Sequence, residues 1–252
     1  MDVIVIIIIC IVAYLIISQS HSIVKKPKRV LCSKSKICFL IISCFKYKHK
    51  LDRFKNMKDT FIIIGLPKMK EKYKLVDNII YVRANDLYFG LPEKIIMAIE
   101  AFNNMPELSN YSYFYKIDDD CQILNKDHTE LINFVQKRDY CGVKINKNLA
   151  REISDEARND HKKYAYQAPH SYWAKNKYMG NYVNYLRGSN YILSRNLTCK
   201  INKIWGSHNI ELLRKTEVFE DLMIGKVCFL LNVFPEIIPE EYRIVVDEFN
   251  NL

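Results

Sequence analysis

The sequence contains 252 residues, of which 49% are hydrophobic, 26% are charged and 12% are aromatic. This composition excludes a disordered, collagen-like or low-complexity chain, because enough apolar side chains are present for a hydrophobic core, and eight cysteines are too few for a small disulfide scaffold. The net charge of +10 comes from residues 1–74, with 16 Lys and Arg against 4 Asp and Glu, whereas residues 75–252 hold 22 against 24. Because the basic charge is confined to one end, no nucleic-acid partner is expected.

The first 20 residues are predicted to be a transmembrane anchor. Residues 3–17 are apolar and uncharged, and with the polar residues 18–20 they approach the about 20 residues of a membrane-spanning helix. A cleaved signal peptide is the alternative, because its apolar region spans about 7–15 residues, although Asp2 stands where a basic residue is usual. A basic stem over 21–36 and a folded domain over 37–252 follow.

From residue 37 onward, strand patterns alternate with helix patterns. Continuous apolar runs predict strands, and apolar residues at helical spacing predict helices. The predicted strands cover 37–44, 60–67, 78–84, 111–117 and 141–145, and the predicted helices cover 91–102, 127–138, 208–215 and 220–232, with a weakly helical stretch at 45–57. This alternation is typical of an α/β domain with a mostly parallel sheet, in which ligands bind beyond the carboxyl ends of the strands.

Asp118, Asp119 and Asp120 directly follow the predicted strand 111–117. Three adjacent carboxylates repel one another, so their concentration at a strand end favours a bound cation. Carboxylate oxygens suit Mg²⁺ or Mn²⁺, which leave coordination positions open for phosphate oxygens. A solvated acidic turn is the alternative for an isolated motif of this kind. The strand context predicts a metal site beside a phosphorylated ligand.

Glu220 and Asp221 form a second acidic pair, at the start of a predicted helix. Acidic residues are common there because they cap the helix and interact favourably with its dipole. Alternatively, one of them acts as a general base that accepts a proton from an attacking hydroxyl. The sequence leaves both interpretations open.

Four segments follow one another along the chain: residues 86–102, residues 113–123 with the three aspartates, residues 182–197 and residues 220–228. Taken together and in this order, they resemble the beta-1,3-galactosyltransferase family (glycosyltransferase family 31). The corresponding family segments read D-x-Y-x-N-L-x-x-K, a strand with three aspartates, Y-P-x-Y-x-x-G-x-x-Y-x-L-S and E-D-V-x-x-G-x-C. The matching positions outside the three aspartates are Asp86, Tyr88, Leu91, Lys94, Tyr182, Tyr185, Gly188, Tyr191, Leu193, Ser194, Glu220, Asp221, Gly225 and Cys228.

The resemblance implies a GT-A type nucleotide-sugar-binding fold and an inverting, metal-dependent transfer. The hexose, galactose or N-acetylglucosamine, would pass from a UDP-sugar to a hydroxyl of a glycan or glycoprotein acceptor, with a beta-1,3 linkage. By position, Asp120 and Asp118 would bind Mn²⁺ or Mg²⁺, with Asp118 also near the nucleotide ribose and Asp119 supporting the pair. Asp221 would be the general base, with Glu220 beside it.

The resemblance also implies further binding residues. Arg53 and Asp86 are expected on the nucleotide side, and Gly188, Tyr185 and Trp173 on the sugar side. Gly188 would allow close approach of the sugar, although a turn with positive φ explains a glycine equally well. Trp173 could stack on a sugar face or pack in the core. A single-pass protein of the Golgi or secretory-pathway membranes is implied, with a cytosol-facing topology left open by the basic flank after residue 24.

Two departures from the family pattern leave alternatives open. The R-x-x-I-R-x-T-W stretch is reduced to Arg53, and no histidine follows His208 to serve as a further metal ligand; Glu240, Glu241 or water would then complete the metal shell. One alternative is therefore a catalytically inactive relative that acts as a carbohydrate-binding or partner protein. Another is a basic protein of membrane surfaces without an active site.

Overall fold

The computed structural model describes residues 35–124, 127–166 and 171–247. Strands in these ranges are β1 Ile37–Ile42, β2 Thr60–Gly65, β3 Tyr73–Val76, β4 Ile79–Val82, β5 Tyr113–Asp118, β6 Cys121–Ile123, β7 Tyr140–Gly142, β8 Ile145–Asn146, β9 Tyr185–Leu186, β10 Asn190–Ser194, β11 Glu236–Ile237 and β12 Val245–Asp247. The α-helices are α1 Leu91–Asn104, α2 Thr129–Val135, α3 Asp155–Lys163, α4 Arg195–Ile204, α5 Ile210–Thr216 and α6 Glu220–Leu230.

The main sheet has the strand order β11-β7-β10-β5-β1-β2-β4-β3. The central strand β1 pairs in parallel with both β2 and β5, and β2 pairs in parallel with β4. β10 lies antiparallel between β5 and β7, and β3 is an antiparallel edge strand. The prediction of an α/β domain with a mostly parallel central sheet is therefore confirmed. β6 pairs with β12, and β8 with β9, in two small separate sheets.

The central strands are buried on both faces, as their continuous apolar sequences require. Side chains alternate between the two faces of a strand, so Leu40 packs into the cluster that includes residues of α1, α4 and α6, whereas Ile41 packs into the opposite cluster with Leu51 and Phe54. Leu51 and Phe54 belong to a 3-10 helix over Phe45–Phe54, where the sequence predicted only weak helicity. These layers hold the carboxyl end of β5 in a fixed position.

Most predicted elements are confirmed, and the differences have local causes. The predicted helix at 127–138 is shorter, because the Asp127 side chain accepts a hydrogen bond from the main-chain N–H of Thr129 at 3.0 Å and α2 begins only there. The prediction omitted α3, which begins where Ser154 accepts a hydrogen bond from the N–H of Ala157. It also omitted β3, whose side chains are only partly buried.

The predicted anchor, residues 1–20, and the predicted stem up to residue 34 lie outside the described residues. Within the ranges that the structure describes, no helix combines the length and the apolar character that crossing a membrane requires.

Candidate active site

A cavity of about 440 Å³ lies where the end of β5, the turn before β10 and the beginning of α6 meet. Its walls contain four of the predicted site acids, Asp118, Asp120, Glu220 and Asp221. The main-chain N–H of Asp118 donates to the carbonyl of Ser189 at 2.9 Å, which fixes the turn against the strand end. The two acidic motifs, far apart in the sequence, thus share one cavity.

A buried lysine links the two acidic motifs. Lys116 lies on β5 with 0% of its side chain exposed, and its ammonium is 2.6 Å from Oδ1 of Asp118 and 3.2 Å from Oε1 of Glu220. It also donates to the carbonyl of Gly188. The Tyr191 hydroxyl donates to Oε2 of Glu220 at 2.8 Å. Both oxygens of Glu220 therefore have partners inside the protein.

Charge and burial change the proton affinities of this group. Burial raises the pKa of Glu220, although Lys116 opposes that effect. Burial also raises the pKa of Asp118 to about 7, with Lys116 again opposing and Glu220 adding to the shift. For Lys116, burial alone would lower the pKa, but the carboxylates of Asp118 and Glu220 raise it. The lysine is thus held as a cation between two acidic groups.

Asp221 is in a different environment, because an arginine covers it. Nη1 of Arg151 lies 2.5 Å from Oδ1 and 2.6 Å from Oδ2 of Asp221. The Arg151 guanidinium also stacks on the Phe219 ring, with 4.7 Å between the guanidinium carbon and the ring centroid. Oδ1 of Asp221 accepts a further hydrogen bond from the N–H of Leu222 at 2.8 Å. The carboxylate thus faces the cavity while also contacting the first turn of α6.

Position 188 requires a glycine because the carboxylates of Glu220 and Asp221 lie close to its α-carbon. A β-carbon at this position would lie 2.9 Å from Oε1 of Glu220 and 3.1 Å from Oδ2 of Asp221. Its φ is not in the left-handed region, so the alternative of a turn with positive φ is wrong. Gly225 has a similar reason, because a β-carbon there would lie 2.4 Å from Cβ of Tyr185. Because Gly225 has no side chain, α6 approaches β9 closely, and Tyr185 lies at the cavity wall.

Asp119 points away from the cavity and joins the acidic motif to the loop after β1. Its Oδ2 accepts a hydrogen bond from the Ser43 hydroxyl at 2.5 Å, and its main-chain carbonyl accepts one from Arg53. Burial raises the pKa of Asp119, and the Ser43 hydrogen bond opposes that shift. Of the described residues, neither Asp119 nor Arg53 is among those that line the cavity. Arg53 thus contacts the main chain of the acidic motif without lining the cavity.

Asp86 also lies outside the cavity, because its carboxylate is bound by main-chain N–H groups and by Lys94 in the interior of the protein. The residue is 1% exposed. Its Oδ1 accepts from the N–H of Gly65 at 2.7 Å and lies 2.7 Å from the ammonium of Lys94, and its Oδ2 accepts from the N–H of Phe45 at 2.6 Å. Asp86 therefore joins the ends of β1 and β2 to α1, and it is not among the described residues that line the cavity.

Trp173 packs in the core instead of lining the cavity. It is 5% exposed, lies in a 3-10 helix over Tyr172–Ala174, and donates its indole N–H to the carbonyl of Glu217 at 3.1 Å. Its ring packs in a cluster that includes Tyr178 and Phe219. Of the two interpretations of Trp173, core packing is the one that these contacts support.

Two carboxylates of the cavity have the chemistry of a divalent-cation site. Asp118 and Asp120 line the same cavity, and Mg²⁺ is commonly bound through one or two carboxylates together with water and substrate phosphates. Among the described residues, no three His, Cys, Asp or Glu side chains converge as a ready-made metal cluster. Glu240 and Glu241 are exposed and not among the lining residues. The donor set therefore fits a cation completed by water and phosphate.

Sequence reasoning missed Lys116 and Arg151. For Lys116 a signal was present, because a lysine inside an otherwise apolar buried strand needs an acidic partner. Arg151 lies between β8 and α3, in a segment without helix or strand, and no sequence pattern distinguishes it from other surface arginines.

Comparison with known proteins places this chain in a family. No curated protein matches the sequence. A solved structure similar to this chain is a cytidylyltransferase from Leptospira borgpetersenii serovar Hardjo-bovis (strain JB197), with 12% identity, a TM-score of 0.40, and coverage of 86% of this chain and 84% of that chain. The family profile described as Galactosyltransferase matches residues 47–237, which is more than half of the chain. This match confirms the family resemblance of the four motifs: the chain belongs to the galactosyltransferase family and is a hexosyltransferase.

Proposed function

We propose that the chain is a metal-dependent, inverting enzyme that transfers a hexose, galactose or N-acetylglucosamine, from a UDP-sugar to a hydroxyl of a glycan or glycoprotein. The observation that carries this proposal is that Asp118, Asp120, Glu220 and Asp221 line one cavity beyond the carboxyl end of β5. In α/β sheets this is the side on which phosphorylated ligands bind. The proposal includes a GT-A type fold and a beta-1,3 linkage.

On the donor side, Asp120 and Asp118 would hold Mn²⁺ or Mg²⁺, because both residues line the cavity and carboxylate oxygens suit these ions. When bound, the ion would stabilise the negative charge that develops on the leaving diphosphate. Lys116 keeps the Asp118 carboxylate in position from inside the sheet. Asp119 and Arg53 hold the loop after β1 against the acidic motif, so they support the donor site without lining it.

On the acceptor side, Asp221 is the proposed general base. The acceptor hydroxyl oxygen forms a bond to the anomeric carbon of the donor, its proton passes to the Asp221 carboxylate, and the bond to the UDP oxygen breaks. Glu220 is less suited to this role, because both of its oxygens are engaged by completely buried partners, Lys116 and Tyr191, whereas the Arg151 side chain that contacts Asp221 is 36% exposed. Glu220 instead positions the start of α6, and Gly188 leaves room for the two carboxylates.

The proposal extends to the N-terminal residues, where the apolar stretch 3–17 supports a membrane anchor. With this anchor the enzyme would be a single-pass protein of secretory-pathway membranes, the Golgi included. Extraction of the full-length chain from washed membranes by carbonate, without detergent, would contradict the anchor.

The donor site can be tested with thermal unfolding of the full-length chain in the presence of Mn²⁺ and UDP. At 100 times the dissociation constant, bound ligand should stabilise the wild type by about 2.7 kcal/mol. Without ligand, Asp120→Asn should melt at about the same temperature as the wild type. With Mn²⁺ and UDP present, it should lose the increase in melting temperature that the wild type shows. Asp77→Asn is the matched control, because Asp77 is exposed in the turn between β3 and β4 and its φ of 55° suits asparagine. An unchanged shift in Asp120→Asn would contradict the assignment of the metal site.

A further inference from the structure

The arginine that covers the proposed base is the feature of the cavity that the reaction leaves unexplained. Nη1 of Arg151 donates to both oxygens of Asp221, at 2.5 and 2.6 Å. The guanidinium occupies a hydrogen-bond position on each oxygen of Asp221, and an acceptor hydroxyl needs such a position in order to transfer its proton. In this arrangement Asp221 is not free to deprotonate an acceptor hydroxyl.

Arg151 is more exposed than Lys116, the other cation of the cluster. Its side chain is 36% exposed, and its segment between β8 and α3 has no helix or strand to fix it. Lys116 is 0% exposed and lies within β5. One cation is therefore buried beneath the acids, whereas the other is partly exposed at the cavity wall.

The expected ligand of this cavity supplies a competing partner for the guanidinium. A nucleoside diphosphate carries several negative charges, and a guanidinium binds phosphate oxygens through parallel hydrogen bonds. Arg151 and the acids Asp118 and Asp120 line the same cavity, so a diphosphate bound beside those acids would lie in the same cavity as the guanidinium.

We propose that Arg151 is a donor-binding residue that Asp221 holds in the absence of donor and releases to the diphosphate when donor binds. The movement uncovers Asp221 only after the donor has entered, so that proton removal from the acceptor is coupled to donor binding. This inference rests on the proposed function, because it takes a UDP-sugar as the donor and Asp221 as the base.

The proposal has a thermodynamic consequence that can be measured. If Asp221 and the diphosphate compete for Arg151, removal of the Asp221 charge must strengthen UDP binding, and it must do so through Arg151. Simple repulsion between Asp221 and the diphosphate would also strengthen UDP binding in Asp221→Asn, but it would do so equally without Arg151. A double-mutant cycle separates these two causes.

The experiment is calorimetric titration of UDP, with Mn²⁺ present, into four full-length proteins: wild type, Asp221→Asn, Arg151→Met and the double variant. We expect Asp221→Asn to bind UDP about fivefold more tightly, and Arg151→Met to bind about tenfold more weakly or worse. In the Arg151→Met background, Asp221→Asn should change the UDP affinity less than about twofold, because the cation for which Asp221 and the diphosphate compete is absent. Arg151→Gln serves as a second variant if Arg151→Met is poorly folded.

A matched control pair exists elsewhere in the fold. Arg138 pairs with Glu236 at 2.7 Å and stacks on the Phe134 ring at 3.9 Å, so it repeats the arrangement of cation, carboxylate and ring away from the cavity. Arg138→Met and Glu236→Gln should leave UDP affinity unchanged.

The outcomes are distinguishable. Absence of UDP binding in the wild type would overturn the proposed function and this inference together. Normal UDP binding in the wild type, with the same tightening by Asp221→Asn in both backgrounds, would overturn the inference alone. Unchanged UDP affinity in Arg151→Met would do the same, because it would leave Arg151 without a contact to the diphosphate.

Discussion

The ammonium of Lys116 lies 3.2 Å from Oε1 of Glu220, although the lysine belongs to the central sheet and the glutamate begins α6. The pair is almost completely buried, with 0% of the lysine side chain and 3% of the glutamate side chain exposed. Through this contact the strand that carries the aspartates and the helix that carries Asp221 are held in one arrangement. The proposed donor and acceptor sides of the cavity are therefore joined by a single buried cation.

Lys116→Met should destabilise the protein strongly. Removal of one partner from a buried ion pair leaves an uncompensated charge, which typically costs about 3–5 kcal/mol. Denaturant titration of the full-length chain measures this loss. Lys72→Met is the control, because Lys72 pairs with Glu100 at the surface with 51% of its side chain exposed, and such pairs contribute about 0–1 kcal/mol. Similar losses in the two variants would contradict the bridging role of Lys116.

Gly188→Ala should impair catalysis more than folding. The added methyl group would meet Oε1 of Glu220 at 2.9 Å, and Glu220 is held too firmly to move freely. A displacement of reacting groups by about 1 Å can cost about 100-fold in rate, whereas overpacking costs about 1–3 kcal/mol of stability. The rate of UDP release and the free energy of unfolding should be measured on one preparation.

Gly206→Ala is the comparison for this variant. Its methyl group would lie 2.9 Å from Nδ1 of His208, an exposed side chain that can rotate away. The rate of UDP release should stay near that of the wild type in Gly206→Ala. If Gly188→Ala also retained that rate, the crowding of the two carboxylates would have no part in catalysis.

Buried His161 should make the protein less stable as the pH falls. Among the residues that the structure describes, its Nδ1 has no hydrogen-bond partner, and burial lowers its pKa. Above the unfolded-state pKa of about 6.5 both states are neutral, so the histidine adds no pH dependence. Below that value the unfolded chain binds a proton that the folded chain does not, and stability falls by at most about 1.4 kcal/mol per pH unit until the folded-state pKa is reached.

The matching variant is His161→Phe, since a phenyl ring can keep the contact with the Phe89 ring, whose centroid lies 5.6 Å from that of His161. Free energies of unfolding should be measured from pH 7.5 down to pH 5. The wild type should lose more stability than the variant over the acidic half of this range. Parallel curves would show that His161 does not contribute to the pH dependence.

Residues at the ends of regular elements could be predicted from the sequence. Asp118 and Asp120 follow a buried strand, and Glu220 and Asp221 begin a helix, so local periodicity was enough to place both pairs. The side of the sheet on which the site lies could be predicted from the general topology of α/β domains. What local patterns do not contain is the partner of each acid, because Lys116 and Arg151 reach Glu220 and Asp221 only after the chain has folded.

Residues with two plausible uses could not be assigned in this way. An aromatic ring such as that of Trp173 serves a core and a sugar site equally well, and only its contacts with Tyr178 and Phe219 decide between them. Asp86 matched a family motif, yet its carboxylate binds main-chain amides and Lys94. The omitted helix α3 consists mainly of charged residues without an apolar stripe, so periodicity gave no signal for it.

The most direct test of the account is the rate of UDP release from UDP-galactose and UDP-N-acetylglucosamine, with Mn²⁺ present, by full-length wild type and Asp221→Asn. Asparagine keeps the shape of the side chain and also serves at a helix N-terminus, so the substitution removes basicity with little change in folding. The account predicts a fall in rate of about 10²–10⁴-fold, the usual contribution of a general base, while UDP remains bound at least as tightly as in the wild type. A near-wild-type rate in Asp221→Asn would contradict it and reduce Asp221 to a structural acid at the start of α6.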